Sequence, residues 1–196
     1  MPRPQRTQVQ GITHHVFSRC IEKRALLHKK NAARMFIQVM VDTQEKYNFN
    51  FIGFQIMHNH FHFIIQTIEG EASISRIIQY IKARYAERYN KLHDRTGPFW
   101  NERFKDEVIE FSDNPLDYLM WLLWYLAFNP VRMKFVNDPR DCTYSSIKCY
   151  LDETFKSPVK IVRHSFFNSL GSSFAEQVKQ FLFYEEAYRK RMAVMF

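Results

Sequence analysis

His60 and His62 stand two apart in the stretch Met57-His58-Asn59-His60-Phe61-His62-Phe63-Ile64-Ile65. Side chains two apart on a β-strand share a face, so both imidazoles point one way while Phe61, Phe63 and Ile65 fill the opposite, core-facing side. Two neutral imidazoles on one rigid strand are half of a metal site. They also fit the wet face of a half-buried strand, the better reading for a lone histidine. A second pair is Tyr125 and Asn129. Residues four apart on a helix lie on one face with β-carbons roughly 5–6 Å apart, so a phenol and an amide there can address one target. The residues alone leave the plainer assignment open, with Tyr125 a core tyrosine whose hydroxyl is satisfied at the edge and Asn129 an end-of-helix residue.

The chain that must position these groups has 196 residues, enough for one domain with a full core, or one domain with an appendage. Hydrophobic residues make up 46% and aromatics 16%, which excludes a disordered chain. Lys and Arg outnumber Asp and Glu by 28 to 20, and the net charge of +8 favours a polyanionic partner, nucleic acid before membrane. The three cysteines are odd in number and lack CxxC spacing, against a disulfide framework or zinc ribbon, so a reducing cytoplasm is expected. The basic start Met1-Pro2-Arg3-Pro4-Gln5-Arg6 has no apolar segment behind it, so no secretory signal is read. The longest greasy run, Tyr118 to Phe128, is too short to span a bilayer and suits a buried helix.

Apolar and polar residues alternate from Ile12 to Ser18, which predicts a strand carrying His14 and His15 and leading to Arg19. Asn31 can cap a helix to about Tyr47, with Met35, Phe36, Val39, Met40 and Tyr47 as its buried stripe. Strands Phe49 to Met57 and His60 to Thr67 follow as hairpin neighbours. After a turn at Gly70-Glu71, Ser73 or Ser75 caps a helix whose Ile74, Ile77, Ile78 and Ile81 face the core. Its outer face carries Arg76, Lys82, Arg84, Arg88 and Lys91 interleaved with Tyr80, Tyr85 and Tyr89. That pattern suits a single strand of nucleic acid and equally a solvated helix face.

Gly97-Pro98 marks a loop, and a strand is read through Val108, Ile109 and Phe111. Ser112 or Asp113 caps a nearly all-apolar helix, Leu116 to Phe128, with Pro115 in its first turn and its end at Asn129-Pro130. Past Pro158, read as a linker, Ser172 or Ser173 caps a last helix with Phe174, Val178, Phe181, Tyr184, Tyr188 and Met192 along one stripe. It ends in basic Tyr188-Arg189-Lys190-Arg191, and the stripe is expected to pack on the preceding domain.

Six motifs in order carry a resemblance. They are Gly11-Ile12-Thr13-His14-His15-Val16-Phe17-Ser18-Arg19, Met57-His58-Asn59-His60-Phe61-His62, Arg84-Tyr85-Ala86-Glu87-Arg88-Tyr89-Asn90, Arg95-Thr96-Gly97-Pro98-Phe99-Trp100-Asn101-Glu102-Arg103-Phe104, Tyr125-Leu126-Ala127-Phe128-Asn129-Pro130-Val131-Arg132, and Tyr144-Ser145-Ser146. Over residues 1 to 151 the chain resembles the REP-associated tyrosine transposases, within the single-tyrosine HUH transposases of bacterial insertion sequences. The resemblance implies an α+β fold: a ferredoxin-like, RRM-like antiparallel sheet with helices on one face, in the order β-α-β-β-α-β-α. Residues 1–151 would form the single-strand DNA transposase domain and residues 152–196 a basic helical C-terminal extension.

The resemblance also implies roles. His60, His62 and Asn129 would bind Mg²⁺ or Mn²⁺, and Tyr125 would be the nucleophile. The implied reaction is cleavage and rejoining of single-stranded DNA through a 5′-phosphotyrosine, leaving a free 3′-hydroxyl, beside hairpins in palindromic repeats. Arg3, Arg6, Arg19, Arg84, Arg88, Arg103 and Lys105 are candidate DNA contacts. Relatives include dimers that share active sites and monomers that do not, so a homodimer stays open. The chain departs from its relatives at His58, where they usually have proline, and at Cys20 and Glu102, where they usually have glycine. Tyr85 and Tyr89 are competing phenols ranked below Tyr125. A domesticated hairpin-binding protein without cleavage, and a small metal-dependent hydrolase acting on a soluble substrate, are the alternatives.

Overall fold

The structure, a computed structural model, describes residues 9–195, so the expected DNA contacts Arg3 and Arg6 lie outside the described residues. The order is β1 (Thr13–Arg19), α1 (Lys30–Lys46), β2 (Asn50–Ile56), β3 (His60–Gln66), α2 (Ile74–Leu92), β4 (Lys105–Val108), α3 (Pro115–Arg132), α4 (Ser165–Asn168) and α5 (Phe174–Met195). The strands form one antiparallel sheet in the order β2-β3-β1-β4. This is the ferredoxin-like arrangement that the resemblance implies.

Period-two alternation, interrupted on β2 by a register shift between Phe51 and Gly53, divides the sheet into two faces with two cores. Val16, Phe54, Phe61, Phe63 and Ile65 join Phe36, Ile78, Tyr85 and Trp100 in one core, under α1 and α2. Ile52 and Ile64 face the other way and pack with Leu119, Leu123, Trp124 and Phe128 of α3. The two crossover helices therefore share a face as expected, while α3 covers the opposite one. Gly53 makes that approach possible: a β-carbon there would sit 3.1 Å from the Leu123 side chain and 3.3 Å from Ser146 Oγ.

Several local expectations are corrected. Helix α1 begins beside Lys29 without a side-chain cap, and Asn31 lies inside it. Ser73 does cap α2, accepting from the Arg76 backbone N–H. The cap of α3 is Asn114, which accepts from the Asp117 N–H, because Pro115 takes the first helical position. The strand stops at Val108, and Ile109–Phe111 is a single 3₁₀ turn. Helix α3 runs through Asn129-Pro130 to Arg132. Proline's fixed φ is compatible with the helix and forfeits one backbone bond; here Asn129 and Pro130 are both buried, and their carbonyls accept from Met133 and Phe135. Tyr85 and Tyr89 do not interleave with the outer cations of α2; both are buried in the first core.

The C-terminal segment packs on α3, as its stripe predicts. Phe181 stacks on Trp124 with centroids 4.7 Å apart, and the Trp124 indole N–H donates to the Phe181 carbonyl at 3.0 Å. Ser173 caps α5, accepting from the Glu176 N–H. Buried Glu185 accepts from Arg189 and from Arg140, tying α5 to the turn after α3. Among the described residues, no helix is long and apolar enough to cross a membrane.

Candidate functional site

Strand β3 presents its even-numbered side chains to α3. His62 is buried and His60 half-buried, their ring centroids 5.1 Å apart and nearly perpendicular. His60 Nδ1 lies 2.7 Å from the Asn59 side-chain oxygen, and His62 Nδ1 lies 3.0 Å from His15 Nε2 on the adjacent strand. In both rings one nitrogen is engaged and Nε2 is the other one. Burial, reinforced by the Arg19 guanidinium, brings His60 down to about 4. Burial and the neighbouring His15, His60 and Arg19 put His62 well below the usual histidine value. Neutral imidazoles at ordinary pH are the form that can donate a lone pair to a metal.

Helix α3 faces this pair. The half-buried Tyr125 ring stands at 90° to His62 with centroids 5.9 Å apart. One turn on, Asn129 is buried, and its Nδ2 has no hydrogen-bond partner. A buried N–H donor without a partner is costly, and on the face of Tyr125 it is the kind of group an acceptor such as a phosphate oxygen satisfies. Among the described residues, no three His, Cys, Asp or Glu side chains are grouped to hold a metal. The side chains that could donate to a metal from these two elements are the His60 and His62 imidazoles and the Asn129 amide oxygen. That mixed nitrogen and oxygen set fits Mn²⁺ or Mg²⁺. The Arg132 guanidinium lies over the Tyr125 ring, 5.7 Å from its centroid.

The candidate DNA contacts divide. Arg19 is exposed and paired with His60 in the β1–β3 register. Lys105 is exposed on β4 with its ammonium 5.7 Å over Phe17, which stacks on His62 at 5.6 Å. Both thus border the histidines. Arg103 is exposed in the loop before β4. Arg84 and Arg88 lie on α2, behind the opposite face of the sheet, and pair with Glu87 at 2.9 Å and Asp42 at 2.7 Å.

The competing phenols are set apart in the same way. Tyr85 is fully buried in the first core, donates to the Ala32 carbonyl at 3.2 Å, and is pushed upward by burial. His58 sits in the turn before β3 and turns outward, its ring stacked 3.7 Å from that of Phe135 just after α3. The unusual histidine therefore clips the β2–β3 turn to the end of the helix that carries Tyr125. Cys20 is buried beside Trp100, its thiol pushed up to about 12 by burial.

Three pairings were not legible as site features in the chain: His15 on His62, Glu107 beside His15, and Arg132 over Tyr125. His15 and Arg19, four apart on β1, share a face, but only the pairing register brings His15 to His62 and Glu107.

A ferredoxin-like sheet bearing paired histidines on its central strand, with a helical tyrosine and amide across from them, is the HUH-type fold. The family described as IS200-like transposase matches residues 8–118, more than half of the chain, and the chain belongs to that family. The match includes both histidines of β3 and ends at Tyr118, before Tyr125. A Haemophilus influenzae protein carrying the name REP-associated tyrosine transposase is 22% identical over 141 residues, covering 67% of this chain and 78% of that protein. A solved structure of a REP-associated tyrosine transposase bound to a REP hairpin shares the fold at a TM-score of 0.64 and 18% identity. It covers 83% of this chain and 92% of that one.

Proposed function

We propose that the protein is a metal-dependent single-stranded DNA transposase, cutting and rejoining strands beside hairpin repeats through a covalent bond to Tyr125. The observation that carries this reading is the Tyr125 ring set edge-on to His62 at 5.9 Å, on the helix face that also holds Asn129. His60, His62 and Asn129 would hold Mg²⁺ or Mn²⁺, which would polarise the scissile phosphate and offset charge on its oxygens. A phenol with an ordinary pKa of about 10 is a weak nucleophile, so its placement against an activated phosphate matters more than its basicity.

The Tyr125 oxygen attacks phosphorus in line and loses its proton to solvent. The bond from phosphorus to the 3′ oxygen breaks, and that oxygen takes up a proton as a free 3′-hydroxyl. The downstream strand stays on Tyr125 as a 5′-phosphotyrosine. One phosphodiester replaces another, so the step needs no ATP and runs backward to rejoin strands. An unpaired strand can bend so that a backbone phosphate reaches this narrow face; a duplex bends at far greater cost. Arg19, Arg103 and Lys105 would meet its phosphates, and the solved relative's hairpin suggests the folded part of the substrate. On this reading residues 1–151 are the catalytic domain, residues 152–196 brace α3 from behind, and the protein works on DNA in the cytoplasm.

The test uses 3′-labelled single-stranded oligonucleotides with and without a hairpin, Mn²⁺ or Mg²⁺, and a denaturing gel. The expected result is a protein-linked labelled strand that depends on the metal and disappears with EDTA. Tight hairpin binding without a covalent product would instead identify a binding protein, and turnover of a small soluble phosphodiester without DNA would identify a hydrolase.

A further inference from the structure

A neutral imidazole has one N–H and one lone pair, and which nitrogen carries which is set by its partners. His62 Nδ1 and His15 Nε2 share one hydrogen bond at 3.0 Å, between near-parallel rings whose centroids are 5.3 Å apart. Two arrangements satisfy it. If His15 donates, His62 carries its proton on Nε2, and that nitrogen cannot ligate. If His62 donates, its Nε2 lone pair is free, and His15 must carry its own proton on Nδ1.

The group facing His15 Nδ1 distinguishes the two. Glu107, opposite His15 in the β1–β4 register, has its Oε2 3.9 Å from that nitrogen. An ionised carboxylate only accepts hydrogen bonds. The neighbouring His15 ring and the hydrogen bond from the Tyr118 hydroxyl hold Glu107 down to about 2, so it is ionised at working pH. The Tyr118 hydroxyl donates to the same Oε2 at 2.9 Å and anchors it. His15 Nδ1 is buried and has no hydrogen-bond partner, and the Glu107 carboxylate is the acceptor that a slight side-chain turn brings within its reach.

We propose that Glu107, acting through His15, is a positioning residue that holds His62 as its Nδ1–H tautomer and so keeps the Nε2 lone pair available as a ligand. The chain of protons then runs one way, from His62 to His15 and from His15 to Glu107. This inference rests on the reading of His62 as a metal ligand. Partners behind a ligating histidine commonly set its tautomer and alter metal affinity about 10–100-fold when removed.

The test reads the tautomer without metal or DNA. Histidine-¹⁵N-labelled full-length protein, metal-free at pH 7.5, is examined by long-range ¹H–¹⁵N correlation. Wild type is expected to show His62 protonated on Nδ1. Glu107→Ala, an exposed position whose loss leaves the fold intact, is expected to shift His62 toward Nε2–H, and Glu107→Asp to restore the wild-type pattern. His15→Phe, which removes the relay and keeps the carboxylate, is expected to match Glu107→Ala. Mn²⁺ affinity by calorimetry is expected to fall about 10–100-fold in both defective variants. His62 already protonated on Nε2 in wild type, or unmoved by Glu107→Ala, would overturn the proposal while leaving Tyr125 chemistry untouched. The predicted tautomer in a protein that forms no covalent DNA product would sink the cleavage reading instead.

Discussion

Replacing Phe181 by alanine tests whether the C-terminal helix is part of the site's scaffold. Phe181 is fully buried, stacked on Trp124 and in ring contact with Tyr150 and Phe167. Truncating a buried phenylalanine removes its transfer free energy and leaves a cavity, together about 3–5 kcal/mol. The surrounding rings and helices cannot collapse easily into the gap, which places the cost toward the middle or top of that range. For a chain of this size each kcal/mol moves the melting temperature about 2–4 °C, so a drop of roughly 8–20 °C is expected. The Trp124 indole bond goes to the Phe181 backbone carbonyl and survives the substitution, so the effect isolates packing. Thermal unfolding followed by circular dichroism reads it, with Phe183→Ala as control. Phe183 sits two residues on and is 54% exposed, and its truncation should cost within about 0.5 kcal/mol. A Phe181→Ala protein melting within a degree or two of wild type, or a Phe183→Ala protein destabilised as much, would refute the idea that α5 is built into the core behind Tyr125.

Acid should weaken the metal-free fold through His60. Its folded value of about 4 lies below the ordinary 6.5, so the unfolded chain takes up a proton the folded one refuses. The stability is present above pH 6.5 and declines as pH falls toward 4, by on the order of 2–3 kcal/mol from this residue. Urea midpoints at pH 7.5 and 4.5 should therefore diverge less in His60→Gln than in wild type; an identical decline would exclude the histidine as a cause. Hairpin binding should separate the cations by face. Arg19→Ala or Lys105→Ala is expected to weaken binding and to lower the salt slope by about 0.7–0.9 for each phosphate no longer neutralised. Arg84→Ala and Arg88→Ala, on the far side and ion-paired, should leave affinity and slope unchanged in anisotropy titrations, and a reversed pattern would put the DNA on α2.

Much of this site was legible because it depends on local periods. Parity on β3 separated His60 and His62 from Phe61 and Phe63, and the four-residue spacing put Tyr125 and Asn129 on one helical face. The capping of α3 by Asn114 lay within reach too, since Pro115 is suited to the first helical position and Ser112 and Asp113 fall too early. Tyr85 and Tyr89 continue the stripe of Ile74, Ile78 and Ile81, so their burial was readable; the flanking cations drew them to the wrong face. The Asn-Pro pair was read as a helix stop because proline disfavours helical geometry before it. Burial of both residues against the second core outweighs that bias and keeps Asn129 in register with Tyr125. The His62–His15–Glu107 arrangement depends on how three strands align, and no local pattern encodes a pairing register across β4, β1 and β3.

The proposed chemistry stands or falls on a phenol of α3 meeting a phosphate held at the histidines of β3. The decisive experiment traps the protein on a labelled hairpin oligonucleotide with Mn²⁺, digests it, and finds the nucleotide-bearing peptide by mass spectrometry. The expected outcome is one modified peptide, with the 5′-phosphate on Tyr125, and no adduct from Tyr125→Phe. A strand attached to Tyr85, Tyr89 or another residue, or an undiminished adduct in Tyr125→Phe, would contradict it.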